Sequence, residues 1–186
     1  KSDCKEIDVK PIVIDLQDGN SQTIMLDVMT SSVFYGENSG AYNKAWEISF
    51  FLKERGYDVV RQKIETIPWH PAAPSDKHAN PIMPKNCYFE SHIQIITTTD
   101  RKSELEVIAH KNSAHLSRNF FKKVSDNEYI IMLTLRKKEG TYEKFTKELE
   151  VLKSDVLAAN FVTKKIEVEF SIYDTNLSHD YNWINK

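Results

Sequence analysis

Cysteine is scarce in this sequence, because among 186 residues only Cys4 and Cys87 carry a thiol. Two thiols without a Cys-x-x-Cys spacing argue against a disulfide framework and against a zinc ribbon, and they favour a reducing compartment. The chain also lacks the run of about 18 apolar residues that a membrane-spanning helix needs. It has no signal-peptide pattern. We therefore expect a cytoplasmic protein without a membrane partner.

An excess of one charge is also missing, since 25 Lys and Arg residues face 27 Asp and Glu residues and the net charge is -2. This balance gives no general attraction to nucleic acid or to an anionic membrane surface. The sequence contains no P-loop, dinucleotide fingerprint, nucleophile elbow or His-Glu-x-x-His metal motif. Any chemistry must therefore come from side chains that the fold brings together.

The spacing of apolar residues predicts alternating strands and helices. A short apolar segment at 11–15 indicates an edge strand or an ordered arm. The remaining predicted strands cover 23–30, 57–65, 88–97, 115–121, 129–136 and 162–173, and the predicted helices cover 41–55, 101–111 and 141–158.

A long loop over 67–86 contains five of the six prolines. Connections of this length are uncommon in compact domains and are often functional. One interpretation is a binding flap that carries Trp69, His70 and His78. The other is a rigid proline-rich crossover with Trp69 buried beneath it, and the sequence favours this second interpretation slightly.

A short internal similarity links residues 41–65 to residues 141–167, since each segment begins near a tyrosine and ends in Lys-Ile-Glu. It predicts an α+β fold built from duplicated ferredoxin-like β-α-β units, mainly antiparallel, with helices on one sheet face and an open polar face. We expect a single domain over 1–186. Its predicted parts are an N-terminal arm (1–22), two pseudo-repeated halves (23–97 and 114–176) and a docked tail (177–186).

Polar side chains alternate along the central predicted strands. Because alternate side chains share a face, Glu90, His92 and Gln94 lie together, as do His115, Ser117 and Asn119. We call the surface with Glu90 and His92 the polar face. A solvated antiparallel sheet would show the same alternation. Glutamate at strand centres and two histidines beside cations instead favour a functional surface.

The candidate chemistry is acid–base work on a phosphorylated small molecule or nucleotide. Histidine titrates near neutral pH, so His92 and His115 are the candidate acid and base, with Glu90 assisting. The candidate substrate-binding residues are Lys63, Glu65, Ser117, Arg118 and Arg136, although alternation turns Arg118 away from the face of His115. A divalent metal held by Glu65, Glu90, His92 and Glu167 is a further prediction that depends on how the strands are arranged.

Three resemblances accompany these residues. His115-Leu-Ser117 resembles the His-x-Ser/Thr motif of the two-histidine phosphoesterases, which implies paired catalytic histidines on a duplicated β-α-β scaffold. The second motif departs from that family, because Gln94 stands where Ser or Thr belongs and the two histidines are closer in sequence. Glu167-Val-Glu169 is similar to the metal-binding carboxylates of triphosphate-tunnel enzymes, but it lies near the C-terminus and lacks their following Lys.

The third resemblance covers most of the chain from about residue 60. The pattern Tyr-Phe-Glu-x-His at 88–92, with His-Leu-Ser-Arg-Asn at 115–119 and Tyr-Asp-Thr-Asn at 173–176, is similar to a family of uncharacterised proteins. It implies one cooperative domain and no particular activity. A non-catalytic domain that binds a ligand or a protein is therefore the alternative function. RNA binding is disfavoured, because the polar strand faces carry few aromatic side chains for stacking.

Overall fold

The computed structural model describes residues 2–17, 24–78, 81–125 and 127–179. Along these residues each α-helix is followed by a pair of strands, except the last helix, which is followed by one strand. Its α-helices are α1 (Ser2–Glu6), α2 (Asn38–Glu54), α3 (Lys102–Lys111, preceded by a 3-10 turn, Thr99–Arg101) and α4 (Tyr142–Ala158). Its strands are β1 (Lys10–Gln17), β2 (Ile24–Ser31), β3 (Lys63–Thr66), β4 (Tyr88–Thr98), β5 (Ala114–Lys123), β6 (Glu128–Lys137) and β7 (Val162–Asp174).

The described strands form one sheet in the order β2-β1-β5-β6-β4-β7-β3. Each neighbouring pair is antiparallel. The predicted α+β class with a mainly antiparallel sheet is therefore confirmed. No helix in the described part of the chain has both the length and the apolar character needed to cross a membrane.

Two predicted strands need correction. The segment at 11–15 is not an edge strand, because β1 lies between β2 and β5, where Ile14 is opposite Asn119. The predicted strand over 57–65 is too long, since only Lys63–Thr66 pairs with β7. Just before it, the backbone of Gln62 bonds to Thr175, beyond the end of β7.

Strand β4 is an interior strand next to the central strand, β6. It is flanked by β6 on one side and β7 on the other, although β5 follows it in the chain. Between Tyr88 and Asp174 the chain runs strand, helix, two strands, helix and strand. Both neighbours of β4 are therefore supplied by later parts of the chain, and its side chains occupy the middle of both sheet faces.

The apolar side chains of β4 build the core. Phe89, Ile93 and Ile95 are fully buried and belong to one cluster with side chains from α3 and α4. The predicted apolar stripe of α4 is buried as expected and consists of Phe145, Leu149, Leu152 and Val156. Thr141 caps this helix by accepting a hydrogen bond from the backbone of Lys144, as predicted. The core therefore holds β4 rigidly from one side.

The proline-rich loop is attached to the start of α4. Pro74 accepts a backbone hydrogen bond from Tyr142 at 2.9 Å, and Glu143 accepts bonds from Ser75 and from the backbone of Asp76. Trp69 is 68% exposed, so the interpretation with a buried tryptophan is wrong. The bonds to Glu143 anchor residues 74–76.

The predicted docked tail lies mostly outside the described residues, which end at His179. The Nε2 atom of His179 lies 3.4 Å from the Oδ1 atom of Asp27 on β2. Asn176, three residues earlier, bonds to the carbonyl of Val60 near β3. Because β2 and β3 are the two outermost strands, the chain after β7 links the two edges of the sheet.

Candidate functional site

The register of the sheet places polar side chains in rows across β7, β4 and β6. Residues directly opposite each other in an antiparallel pair point to the same face. Glu90 is opposite Glu169 on β7 and Arg136 on β6. His92 is opposite Glu167 and Thr134, and Thr134 is in turn opposite His115 on β5.

Glu90 is the centre of this arrangement. It is only 1% exposed, and its two carboxylate oxygens are held by two cations. The Nε atom of Arg136 donates to Oε1 at 2.6 Å, and the Lys63 ammonium donates to Oε2. Lys63 also pairs with Glu65. A buried carboxylate needs such partners, because an isolated buried charge is strongly unfavourable.

The middle of the polar face is not open to water. Several uncharged polar side chains on it are buried, namely Gln94, Ser117, Thr134 and Ser171. Four charged side chains near Glu90 are more accessible, namely Lys63, Glu65, His92 and Glu169, and the His92 side chain is 25% exposed. Arg136 is nearly as buried as Glu90. We call these six residues the Glu90 cluster, which comprises Lys63, Glu65, Glu90, His92, Arg136 and Glu169. This burial argues against a fully solvated face.

The His92 ring has a polar partner on each side. Its Nδ1 atom lies 3.0 Å from the Thr134 hydroxyl oxygen. Its Nε2 atom lies 3.6 Å from an oxygen of Glu90 and 3.8 Å from an oxygen of Glu169. The ring is therefore oriented from one side, while its other nitrogen faces carboxylates at the accessible part of the cluster.

The cluster separates the proton affinities of its members. Burial alone would raise the pKa of Glu90, but the Lys63 ammonium, with His92 and Arg136, holds it well below its ordinary range. Burial alone would lower the pKa of His92, but the Glu90 carboxylate raises it above its ordinary value. Burial raises the pKa of Glu169 to about 7, and the charge of Glu65 acts in the same direction.

Glu169 makes stability depend on pH. Its pKa is about 7 in the folded protein, above the ordinary value of 4.5. Between these two pH values the folded state holds a proton on Glu169 that the unfolded state has lost, so the free energy of unfolding falls as pH rises through this range. We expect Glu169→Gln to make this decrease in the free energy of unfolding smaller by about 1–3 kcal/mol. Urea unfolding at pH 4.5, 6 and 8 measures it.

The matched control is Glu167→Gln, because Glu167 lies two residues earlier on the same strand and face. We expect this control to keep the wild-type fall in stability. The raised pKa of His92 contributes a further decrease in the free energy of unfolding as pH rises above 6.5, the ordinary pKa of histidine. Glu169→Gln should retain this further decrease. Equal pH dependence in Glu169→Gln and wild type would contradict the assignment.

A second polar network, centred on Asp174, contacts the cations Lys63 and Arg136 through Tyr88. Asp174 accepts two hydrogen bonds from Arg61, at 2.9 and 2.5 Å, and one from the Tyr88 hydroxyl at 2.7 Å. The Arg136 guanidinium lies 4.5 Å and the Lys63 ammonium 5.4 Å from the centre of the Tyr88 ring. Cation–π contacts of this kind stabilise partly desolvated cations. Tyr88 therefore joins the two networks.

The structure brings together five of the predicted site residues and separates the others. The five are Lys63, Glu65, Glu90, His92 and Arg136. His115 lies on the same face beyond Thr134, and the buried Ser117 is opposite Met132. Arg118 lies on the apolar face, with its guanidinium 4.6 Å from the centre of the Tyr129 ring, so it does not reach the cluster.

Sequence reasoning missed two members of the site. Glu169 is noticed only as part of Glu167-Val-Glu169, and the strand pairing of β7 with β4 is what places it beside His92. Thr134 is noticed only as a polar residue on its strand, and the register makes it the partner of His92. The alternation of polar residues was a usable signal for both, but strand order was not readable from it.

Three of the four residues predicted to hold a divalent metal lie close together in the structure. Donor atoms of Glu65, Glu90 and His92 lie within 4.8 Å of one another. However, the Lys63 ammonium pairs with both carboxylates and supplies the positive charge that a metal would supply. A divalent metal at these donors would have to compete with Lys63.

Comparisons with protein-family models, with curated proteins and with solved structures give no match to this chain. Only the chemistry of the site therefore indicates what the protein does.

Proposed function

We propose that the Glu90 cluster is the active site of a hydrolase or transferase that acts on a phosphorylated small molecule or nucleotide. The observation that carries the proposal is the pairing of His92 with Glu169, 3.8 Å apart at the accessible part of a buried charged network. A carboxyl group with a pKa of about 7 beside a histidine whose pKa is raised by Glu90 is suited to general acid–base catalysis.

The roles follow from the charge that each group carries. His92, kept cationic by Glu90, donates a proton from Nε2 to the oxygen that leaves the phosphorus. Glu169, in its ionised form, accepts a proton from the attacking water or hydroxyl. Proton transfer by positioned side chains commonly contributes about 10²- to 10⁴-fold to a rate. Glu90 and Arg136 act as the fixed scaffold, because both are buried and bonded to each other.

Recognition of the phosphate is assigned to the cations at the accessible part of the site. The His92 ring lies beside Glu169, and the charge of the partly exposed Lys63 ammonium also acts on Glu169. Ammonium and imidazolium groups form charge-assisted hydrogen bonds with phosphate oxygens. His115 and Ser117 extend the same face by two strands and would contact the more distant part of the substrate.

The test is a turnover assay with nucleoside phosphates, cyclic nucleotides and aryl phosphate esters, with and without Mg²⁺ or Mn²⁺. We expect one substrate class to be turned over, and we expect His92→Gln and Glu169→Gln each to reduce kcat/KM about 10²- to 10⁴-fold. Glu167→Gln is the control and should keep most of the activity. Dependence on the divalent ion would support a metal held by Glu65, Glu90 and His92, the three residues whose donor atoms lie together.

A non-catalytic binding domain is the second candidate. It is favoured by the fact that the two carboxylates of Glu65 and Glu90 already pair with the two cations Lys63 and Arg136, which leaves little uncompensated charge among these four residues. A ligand that shifts the NMR signals of His92 without being turned over would support this candidate. If no member of the panel either reacts or shifts these signals, both candidates are wrong for phosphorylated ligands.

We further infer that the ferredoxin-like unit lies within residues 88–174, because the element order there is strand, helix, two strands, helix and strand, with β6 between β5 and β4. Duplication across 23–97 and 114–176, with helices on one face only, stays a prediction. A cytoplasmic location likewise remains a proposal, supported by the two free thiols.

A further inference from the structure

We propose that Thr134 is a positioning residue that fixes the ring of His92 and links it to His115, so that the two histidines exchange protons as a pair. The observation is the position of the Thr134 hydroxyl, which lies 3.0 Å from Nδ1 of His92 while Thr134 stands opposite both histidines in the sheet. The use of this link in catalysis rests on the proposed function, but the link itself needs no substrate.

The geometry of the sheet supports the link. Neighbouring strands are about 4.8 Å apart, so the backbones of His92 and His115 are separated by roughly 10 Å with Thr134 midway between them. All three side chains point to the same face. Two imidazole rings that approach a central hydroxyl from opposite sides can span this distance.

The chemistry of a hydroxyl suits this position. Thr134 is 2% exposed, so water has little access to it. A hydroxyl can accept one hydrogen bond while it donates another. Thr134 therefore accepts from Nδ1–H of a cationic His92 and donates to an unprotonated ring nitrogen of His115.

The link also provides a route for a proton. When the Nδ1 proton of His92 passes to Oγ1 of Thr134, the hydroxyl hydrogen of Thr134 passes to the ring nitrogen of His115. His92 becomes neutral, His115 becomes cationic, and Thr134 is unchanged. The positive charge has moved from one histidine to the other, with no oxidant or further reactant required.

Charged groups around His92 bias this equilibrium. Glu90 faces it from its own strand, Lys63 and Glu65 from β3, Glu167 and Glu169 from β7, and His115 from beyond Thr134. The carboxylates nearest to Nε2 favour the cation on His92. Loss of negative charge on Glu169 or Glu90 would therefore favour movement of a positive charge from His92 to His115.

The experiment is NMR titration of both histidines in the wild-type protein, in Thr134→Val and in Thr134→Ser. Valine keeps the shape of threonine and removes the hydroxyl, so we expect the pKa of His92 to fall by about half to one pH unit and the Nδ1 chemical shift to change. Thr134→Ser retains a hydroxyl and should keep both values near those of the wild type. Thermal unfolding of each variant confirms that it is folded.

A double-mutant cycle tests the link to His115. We expect His115→Gln to shift the titration of His92 when Thr134 is present, and to leave it unchanged in the Thr134→Val background. An unchanged His92 signal in Thr134→Val would overturn the positioning role. A His115 effect that is the same in both backgrounds would overturn the link.

The role of Thr134 and the proposed function can fail independently of each other. If Thr134→Val moves the His92 titration while no phosphorylated compound is turned over, the positioning role stands and the proposed function fails. If turnover is found, and Thr134→Val alters neither the pH profile of kcat/KM nor the His92 titration, the proposed function stands and this inference fails.

Discussion

Replacement of Glu90 by glutamine is expected to lower the free energy of unfolding by about 3 kcal/mol, although the side chain keeps its size. Glu90 neutralises Arg136, whose side chain is 4% exposed, and it shares Lys63 with Glu65. Removing one partner of a buried ion pair leaves the other charge uncompensated, and such changes typically amount to about 3–5 kcal/mol. We expect the lower end because Lys63 keeps Glu65.

The measurement is urea unfolding of wild type, Glu90→Gln and the control Glu167→Gln at pH 7. The control removes a carboxylate from the same face, where its side chain is 38% exposed and pairs with Lys165. Exposed ion pairs contribute little, so we expect a change below about 0.5 kcal/mol. Similar losses in the two variants would contradict the central role of Glu90.

The effect of Glu90→Gln should also depend on pH. Because the pKa of Glu90 is held below its ordinary 4.5 in the folded protein, its ionised form contributes stability above pH 4.5 that is lost as pH falls through the folded value. The difference between wild type and variant should therefore shrink in strong acid. A difference that stays constant down to pH 2 would mean that lost packing, and not lost charge, is responsible.

The relation between sequence and site is clearest on β4. Alternation alone places Glu90 and His92 on one face, because side-chain direction in a strand has a period of two. It also turns Arg118 away from His115, and the structure has Arg118 against Tyr129. These are local properties of one strand, and local patterns are sufficient to predict them.

Which strands are neighbours in the sheet was harder to predict, because strand order is determined by pairing between segments that are far apart in the sequence. Lys63 reaches Glu90 because β3 pairs with β7 and β7 pairs with β4, and nothing near Lys63 in the sequence specifies that order. For the same reason His115, predicted as a direct partner of His92, lies one strand further away with Thr134 between them. Strand order decided the composition of the site.

Burial was the other property that alternation could not provide. An alternating polar strand is compatible with a solvated face and with an enclosed one. Glu90 is enclosed, and it is tolerated there because Arg136 and Lys63 satisfy both of its oxygens. The presence of complementary partners on neighbouring strands, and not the polarity of β4 itself, makes the enclosed arrangement stable.

Phe89, the neighbour of Glu90 on the opposite face, provides the last prediction. It is fully buried, and its ring centre lies 5.4 Å from that of Phe145, 5.0 Å from that of Phe170 and 6.0 Å from that of Tyr142. We expect Phe89→Ala to lower the free energy of unfolding by about 3–5 kcal/mol, because it removes buried apolar area and leaves a cavity. Urea unfolding measures the loss, with the exposed Phe50→Ala as a control expected to change it by less than about 1 kcal/mol.

The two variants of β4 should differ in their response to pH, although their effects at pH 7 are similar in size. A cavity does not titrate, so the loss in Phe89→Ala should be nearly the same at pH 7 and pH 3. The loss in Glu90→Gln should be smaller at pH 3, because below pH 4.5 Glu90 takes up a proton more readily in the unfolded wild-type chain than in the folded protein, which reduces the stability that its charge contributes. If both losses respond to pH alike, the two faces of β4 are not energetically independent, and the charged network on one face depends on the packing of the other.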